Sequence, residues 1–157
     1  RHYQTLVRDR LVFAHRVQFR TYFNESVPFY VLQTLGGSDD LRGIHFARIA
    51  GLGVVNATAE LRAKFVQFVL FNQNIYGGVN LFFDTGRITK PVAWNSADIE
   101  RTHPNLLSSE EEAWHHAAGF GFKGALNENF IVSVDYGKAL DDRDGKTSLY
   151  ISLGWQF

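Results

Sequence analysis

Residues 108–116 contain the side chains that could most readily perform chemistry. Ser108 and Ser109 are followed by three glutamates at 110–112 and by His115 and His116. Hydroxyl, carboxylate and imidazole groups are the parts of a hydrolytic triad or of a metal site. However, adjacent histidines would point to opposite faces of a strand. We therefore interpret the run as an acidic, mobile loop and predict no catalytic residue, metal or cofactor.

Two further segments could form a site. Asp141, Asp142 and Asp144 with Gly145 resemble half of a calcium loop, but the spacing is poor and the final glutamate is missing, so a plain turn is expected. The second segment is the glycine-rich stretch 36–53, which holds Arg42 and Gly43 at its centre. A connection of this length is usually functional or disordered.

The composition limits the classes of protein that the chain could be. Its 157 residues suit one domain, and the 16 basic and 16 acidic residues argue against a nucleic-acid partner. The absence of cysteine excludes disulfides and thiolate metal sites. No run of about 18 apolar residues predicts a transmembrane helix. Aromatic residues make up 15% of the chain, and many recur at every second position.

This period of two predicts six β-strands, each with one apolar and one polar face. They lie at 11–23, 54–71, 75–86, 116–126, 130–138 and 149–157. Several exceed ten residues, whereas soluble strands average about 5–6 and membrane-spanning strands need about 9–11. Alternation alone would equally fit a soluble sandwich or barrel with its apolar face inside.

The connections between the predicted strands alternate in length. Short turns at 72–74 and 127–129 separate longer loops at about 24–52, about 88–115 and 141–145. Outer-membrane barrels have short periplasmic turns and longer extracellular loops. Strand length, loop asymmetry and the charges on mid-strand polar faces together favour a transmembrane barrel over a soluble one.

Acidic side chains on the polar faces need a counter-charge inside such a barrel. Glu60 and Asp84 fall on the polar faces of consecutive strands, so both would point into the lumen. Arg42 is a suitable partner because its guanidinium can bind a carboxylate bidentately, and Gly43 allows a tight turn. Basic residues on the same strand as Glu60 are alternative partners, namely Arg62 and Lys64.

An ordered set of motifs carries a family resemblance over nearly the whole chain. LGGSDDLRG (35–43), NATAELR (56–62), FFDTGR (82–87) and LYISLGWQF (149–157) resemble the C-terminal part of the BamA/TamA superfamily of outer-membrane barrels. The resemblance implies that the loop at about 24–52 folds back into the lumen. There, its Arg42–Gly43 motif would pair with Asp84 and Glu60 on the wall. Ile44 departs from the aromatic residue usual after the glycine.

The resemblance also implies the fold class, an all-β, antiparallel transmembrane β-barrel. Residues 1–157 would be the C-terminal portion, the last six strands of sixteen. Six strands cannot close a membrane barrel, and an open sheet would leave unpaired backbone groups in lipid. We therefore expect a fragment or one of several chains, as the first residue, Arg1, also suggests. Phe157 and Trp155 would form the C-terminal strand signal, an interfacial aromatic girdle, or both.

The implied function is assembly of outer-membrane proteins or translocation of polypeptides in the bacterial outer membrane, without enzymatic chemistry or a cofactor. The expected partners are outer-membrane lipid, unfolded client or secreted polypeptides, and the strands or chains that complete the barrel. A pore-forming or structural barrel is the alternative, and a soluble ligand-binding β-barrel is a third hypothesis.

Overall fold

A computed structural model describes residues 1–8, 10–24, 27–92, 113–127 and 130–154. These residues form nine strands and one short 3-10 helix, Phe29–Val31. The strands are β1 His2–Val7, β2 Leu11–Thr21, β3 Gln33–Leu35, β4 Ile49–Gly51, β5 Gly53–Leu70, β6 Gln73–Lys90, β7 His115–Leu126, β8 Phe130–Ala139 and β9 Thr147–Leu153. Within the described ranges, no helix has the length and apolarity needed to cross a membrane.

Seven of the strands form one antiparallel sheet in the order β1-β2-β5-β6-β7-β8-β9. This arrangement confirms the all-β, antiparallel fold. The sheet is open, with β1 and β9 at its two edges. It has one strand more than the six that the alternation predicts, because β1 is too short and mixed in character to show a clear period of two.

The two faces of this sheet are reversed relative to those of a soluble protein. The covered face, here called the polar face, carries buried polar and charged side chains, among them Asn56, Glu60, Asn80, Asp84, Lys123, Ser133 and Asp135. The opposite, apolar face exposes large hydrophobic side chains, among them Val17, Phe19, Leu81, Phe83, Phe120, Phe122, Leu149 and Ile151. In water such a surface would be costly, whereas lipid favours it. The arrangement argues against a soluble ligand-binding barrel.

The hairpin of β5 and β6 corrects two details of the predicted pattern. A two-residue turn joins the strands at Phe71 and Asn72, both with positive φ (49° and 61°), so the turn begins one residue before the predicted 72–74. A bulge between Lys64 and Val66 shifts the pairing register. It places Gln67 opposite Tyr76, a residue of the polar face, which explains why Gln67 interrupts the apolar pattern.

The connection between β2 and β5 folds back onto the polar face. The two short strands β3 and β4 pair with each other and bring the two ends of this connection together. Within it, Leu35, Leu41, Ile44 and Ile49 form an apolar cluster with Val54, Ala117 and Ala139 of the sheet. Ile44, where the resemblance implies an aromatic residue, is fully buried there. Burial of these side chains holds the loop against the sheet.

Candidate loop-docking site

Arg42 lies at the centre of the contact between the loop and the sheet. Its side chain is 1% exposed. Its Nε and Nη2 donate to Asp84 Oδ2 and Oδ1 at 2.9 and 3.0 Å, and its backbone N–H donates to Asp84 Oδ2 at 3.1 Å. This bidentate geometry is the one in which an arginine binds a carboxylate most strongly. Residues 41–44 are called the loop tip below.

A second carboxylate and an aromatic ring complete the surroundings of Arg42. Its Nη1 donates to Glu60 Oε1 at 2.6 Å, and Arg62 donates to the other oxygen of Glu60 at 2.8 Å. The guanidinium carbon lies 3.3 Å from the centre of the Phe82 ring. Stacking on the ring adds a cation–π contribution in a desolvated site. The structure thus brings Arg42, Glu60 and Asp84 together, and Arg62 shares Glu60 rather than replacing Arg42.

Gly43 allows the loop tip to lie directly on the backbone of β8. Its φ is +96°, and a Cβ at this position would lie 2.6 Å from the carbonyl carbon of Lys138. On the strand, a Cβ at Gly137 would lie 2.8 Å from the carbonyl carbon of Arg42. Two facing glycines therefore permit a backbone-to-backbone approach that side chains would block.

Replacing Gly43 by alanine is expected to destabilise the folded protein by about 3 kcal/mol, because left-handed backbone strain and a steric clash with β8 add together. The free energy of unfolding in detergent or lipid would measure the effect. Gly124→Ala on β7 is the matched control, since a Cβ there meets nothing within 4 Å. Equal stability of the two variants would contradict the close approach.

A second buried ion pair extends the site toward β7 and β8. Lys123 Nζ donates to both oxygens of Asp135 at 2.9 and 2.8 Å, and Asp135 Oδ2 lies 3.9 Å from Arg42 Nη1. Asn80 joins the same group: with its amide oriented to satisfy both partners, it donates to Asp135 Oδ1 and the Gly121 carbonyl at 3.2 Å. The sequence analysis does not predict this pair, although the period of two puts Lys123 and Asp135 on the polar faces of their strands.

The acidic residues just before the loop tip also contact the sheet. Arg20 Nη2 donates to Asp40 Oδ2 at 2.9 Å and to the Thr34 carbonyl at 3.2 Å. Arg16 donates to the backbone carbonyl of Asp39. These two arginines lie on the polar face of β2, so the loop is held from β2 as well as from β5 and β6. The adjacent aspartates in the sequence were the available signal for this contact.

The remaining sequence candidates have different outcomes. Residues 108–112, with their serines and glutamates, and the C-terminal residues Trp155 and Phe157 lie outside the described residues. The two histidines are separated on β7: His115 Nδ1 lies 2.7 Å from Asp144 Oδ2, and His116 Nδ1 lies 2.9 Å from Thr85 Oγ1. Across the described part of the chain, no group of three His, Asp or Glu side chains could hold a metal ion.

The segment that resembled half of a calcium loop forms a turn. The Asp144 backbone N–H donates to the Asp141 carbonyl at 3.1 Å. The Arg143 side chain and backbone N–H donate to the Asp141 carboxylate, and these hydrogen bonds lower the pKa of Asp141 to about 2. The carboxylate is therefore engaged with an arginine of its own turn.

The comparisons with known proteins agree with this architecture. The family model of the Omp85 superfamily domain matches residues 1–157. The chain belongs to the Omp85 superfamily, which confirms the resemblance found in its motifs. Proteins of this superfamily are outer-membrane β-barrels that in general insert or translocate polypeptides and are not classical enzymes. No curated protein and no solved structure matches the chain significantly.

Proposed function

We propose that this chain forms the C-terminal part of a BamA/TamA-type barrel. The barrel inserts β-barrel proteins into the bacterial outer membrane or passes polypeptides across it. Additional strands, from the same polypeptide or from other chains, close the barrel beyond β1 and β9. The connection between β2 and β5 and the segment at about 88–115 are extracellular loops, and the first of these folds into the lumen.

The position of the loop tip is the observation that carries this proposal. A loop held only at its base would leave the polar face open to water. Here Arg42 is 1% exposed and is bound to carboxylates of two neighbouring strands. The tip therefore occupies the space that would be the lumen of the closed barrel.

The charges around Arg42 suit this role. Three basic side chains (Arg42, Arg62, Lys123) face three acidic ones (Glu60, Asp84, Asp135) on the polar face. The cluster is neutral as a whole, so the loop tip supplies the positive charge that the β5 and β6 wall lacks. We propose that Arg42, Gly43, Asp84 and Glu60 form a loop-to-wall latch that holds the barrel in a single arrangement.

The test is an insertion assay with the complete protein, including the sequence that closes its barrel. The protein is reconstituted in vesicles of bacterial outer-membrane lipid, and an unfolded outer-membrane protein is added. The heat-modifiable fraction of the client on a gel measures its folding. We expect faster client folding than in vesicles without the protein. Translocation of a polypeptide substrate is measured in the same vesicles, by its protection from external protease.

A pore without insertase activity is the second candidate, because a sheet with an exposed apolar face suits any membrane barrel, whether or not the barrel acts on a client polypeptide. Flux of a small charged solute from the same vesicles distinguishes the two. Rapid flux with no effect on client folding or polypeptide passage would replace the proposed function by that of a pore.

A further inference from the structure

Consecutive residues of the loop tip are bound to different strands of the sheet. Arg42 is bound to Glu60 on β5 and Asp84 on β6. The next residue, Gly43, donates its backbone N–H to the hydroxyl oxygen of Tyr150 at 3.0 Å. Tyr150 lies on β9, the edge strand. The loop tip therefore bridges the middle of the sheet and its last strand.

The register of β9 explains how the hydroxyl of Tyr150 reaches the loop. Tyr150 pairs directly with Asp135 of β8, a residue of the polar face, while its neighbours Leu149 and Ile151 are exposed on the apolar face. The long side chain of Tyr150 places its phenol oxygen beside the backbone of Gly43. The bond satisfies the backbone N–H of Gly43, which is buried in the loop tip.

The position of β9 gives this bond a consequence. The strand pairs with β8 along seven residues, Thr147 to Leu153, and has no second neighbour in the described sheet. The free backbone groups of β9 are where a strand that closes the barrel would pair. A bond between β9 and the loop tip adds to the ladder with β8, and it therefore changes how often β9 separates from its neighbours.

We propose that Tyr150 is a positioning residue that couples the docking of the loop tip to the attachment of β9. Release of the tip removes one support from β9, and by reciprocity the opening of β9 weakens the docking. This inference rests on the proposed function, in which the docked loop sets the state of the barrel. It adds a partner on the last strand to the contacts of Arg42.

Hydrogen exchange of the complete protein in lipid tests the coupling. Tyr150→Phe keeps the ring and removes the hydroxyl acceptor. The variant is expected to raise the exchange rates at Gly43 and at residues 147–153 about fivefold, the effect of losing one hydrogen bond. The matched control is Tyr136→Phe, a tyrosine of β8 that lies on the apolar face. Equal exchange of β9 in both variants would overturn the proposal.

A double-mutant cycle separates coupling from a merely structural role. Arg42→Lys weakens the bidentate contact, and in the parent protein it should raise the exchange of β9. In the Tyr150→Phe background, Arg42→Lys should not change the exchange rates of β9, because the hydrogen bond between Gly43 and the Tyr150 hydroxyl is already absent. Additive effects on β9 would contradict the coupling.

Two further measurements keep the test interpretable. Tyr150→Trp, whose indole donates but does not accept, serves as the second variant if the phenylalanine variant does not fold. Insertion of a client is measured on the parent protein in the same vesicles. Absence of insertion would contradict the proposed function alone, whereas an unaltered β9 in both Tyr150 variants would contradict the coupling alone.

Discussion

Replacing Arg42 by alanine is expected to lower the free energy of unfolding by about 4 kcal/mol. The substitution leaves Asp84 and Glu60 buried, 0% and 1% exposed, without their main counter-charge. Breaking a buried ion pair by removing one partner typically costs about 3–5 kcal/mol. Denaturant unfolding of the complete protein in lipid vesicles, followed by heat-modifiable migration on a gel, measures the loss.

The control for this prediction is Arg48→Ala, because Arg48 lies in the same loop but is exposed. It should change stability by less than about 0.5 kcal/mol. Adding Asp84→Asn and Glu60→Gln to Arg42→Ala should restore part of the loss, because the unpaired charges are then removed. If Arg42→Ala unfolds at the same denaturant concentration as Arg48→Ala, the latch does not stabilise the barrel.

A charge on the apolar face is expected to produce the second large effect. Leu81 is near the middle of β6 and is paired with Leu61 and Phe120 of the adjacent strands. Leu81→Arg would place a guanidinium in the hydrocarbon layer, which costs about 2–4 kcal/mol at the midplane of a barrel. The yield of folded barrel in vesicles and its free energy of unfolding measure this cost.

Leu140→Arg is the matched control, because Leu140 and Leu81 are both 59% exposed and Leu140 lies in the connection after β8. Exposure to water alone would predict similar effects for the two variants. Exposure to lipid predicts a loss at position 81 and little change at position 140. A stable Leu81→Arg barrel would show that this face does not contact lipid.

The sequence predicted the sheet well because the strands of the seven-stranded sheet other than β1 keep the period of two, apart from the bulge in β5, and charged residues reveal which face is polar. The bulge after Lys64 could not be predicted, since a one-residue insertion leaves only the misplaced Gln67 as its mark. The pair of β3 and β4 was also missed, because three-residue strands inside a long loop are too short to show a pattern.

The contacts of the loop tip were only partly readable from sequence. The period of two places Glu60 and Asp84 on the same face, and the Arg42–Gly43 pair stands out in a long connection. Parity also places Asp135 and Lys123 there, but it does not say which residues of a sheet a returning loop will cover. The Tyr150 contact depends on the register of β9 against β8, which the sequence does not specify.

The central claim is that the apolar face contacts lipid while the polar face encloses the loop. Since this sequence has no cysteine, single cysteines can be placed at each of positions 79 to 84 and labelled with a fluorophore. Quenching by a lipid-soluble quencher in vesicles of the complete protein is then measured. We expect strong quenching at 79, 81 and 83 and weak quenching at 80, 82 and 84. The reverse pattern, or equal quenching at all six positions, would contradict the claim.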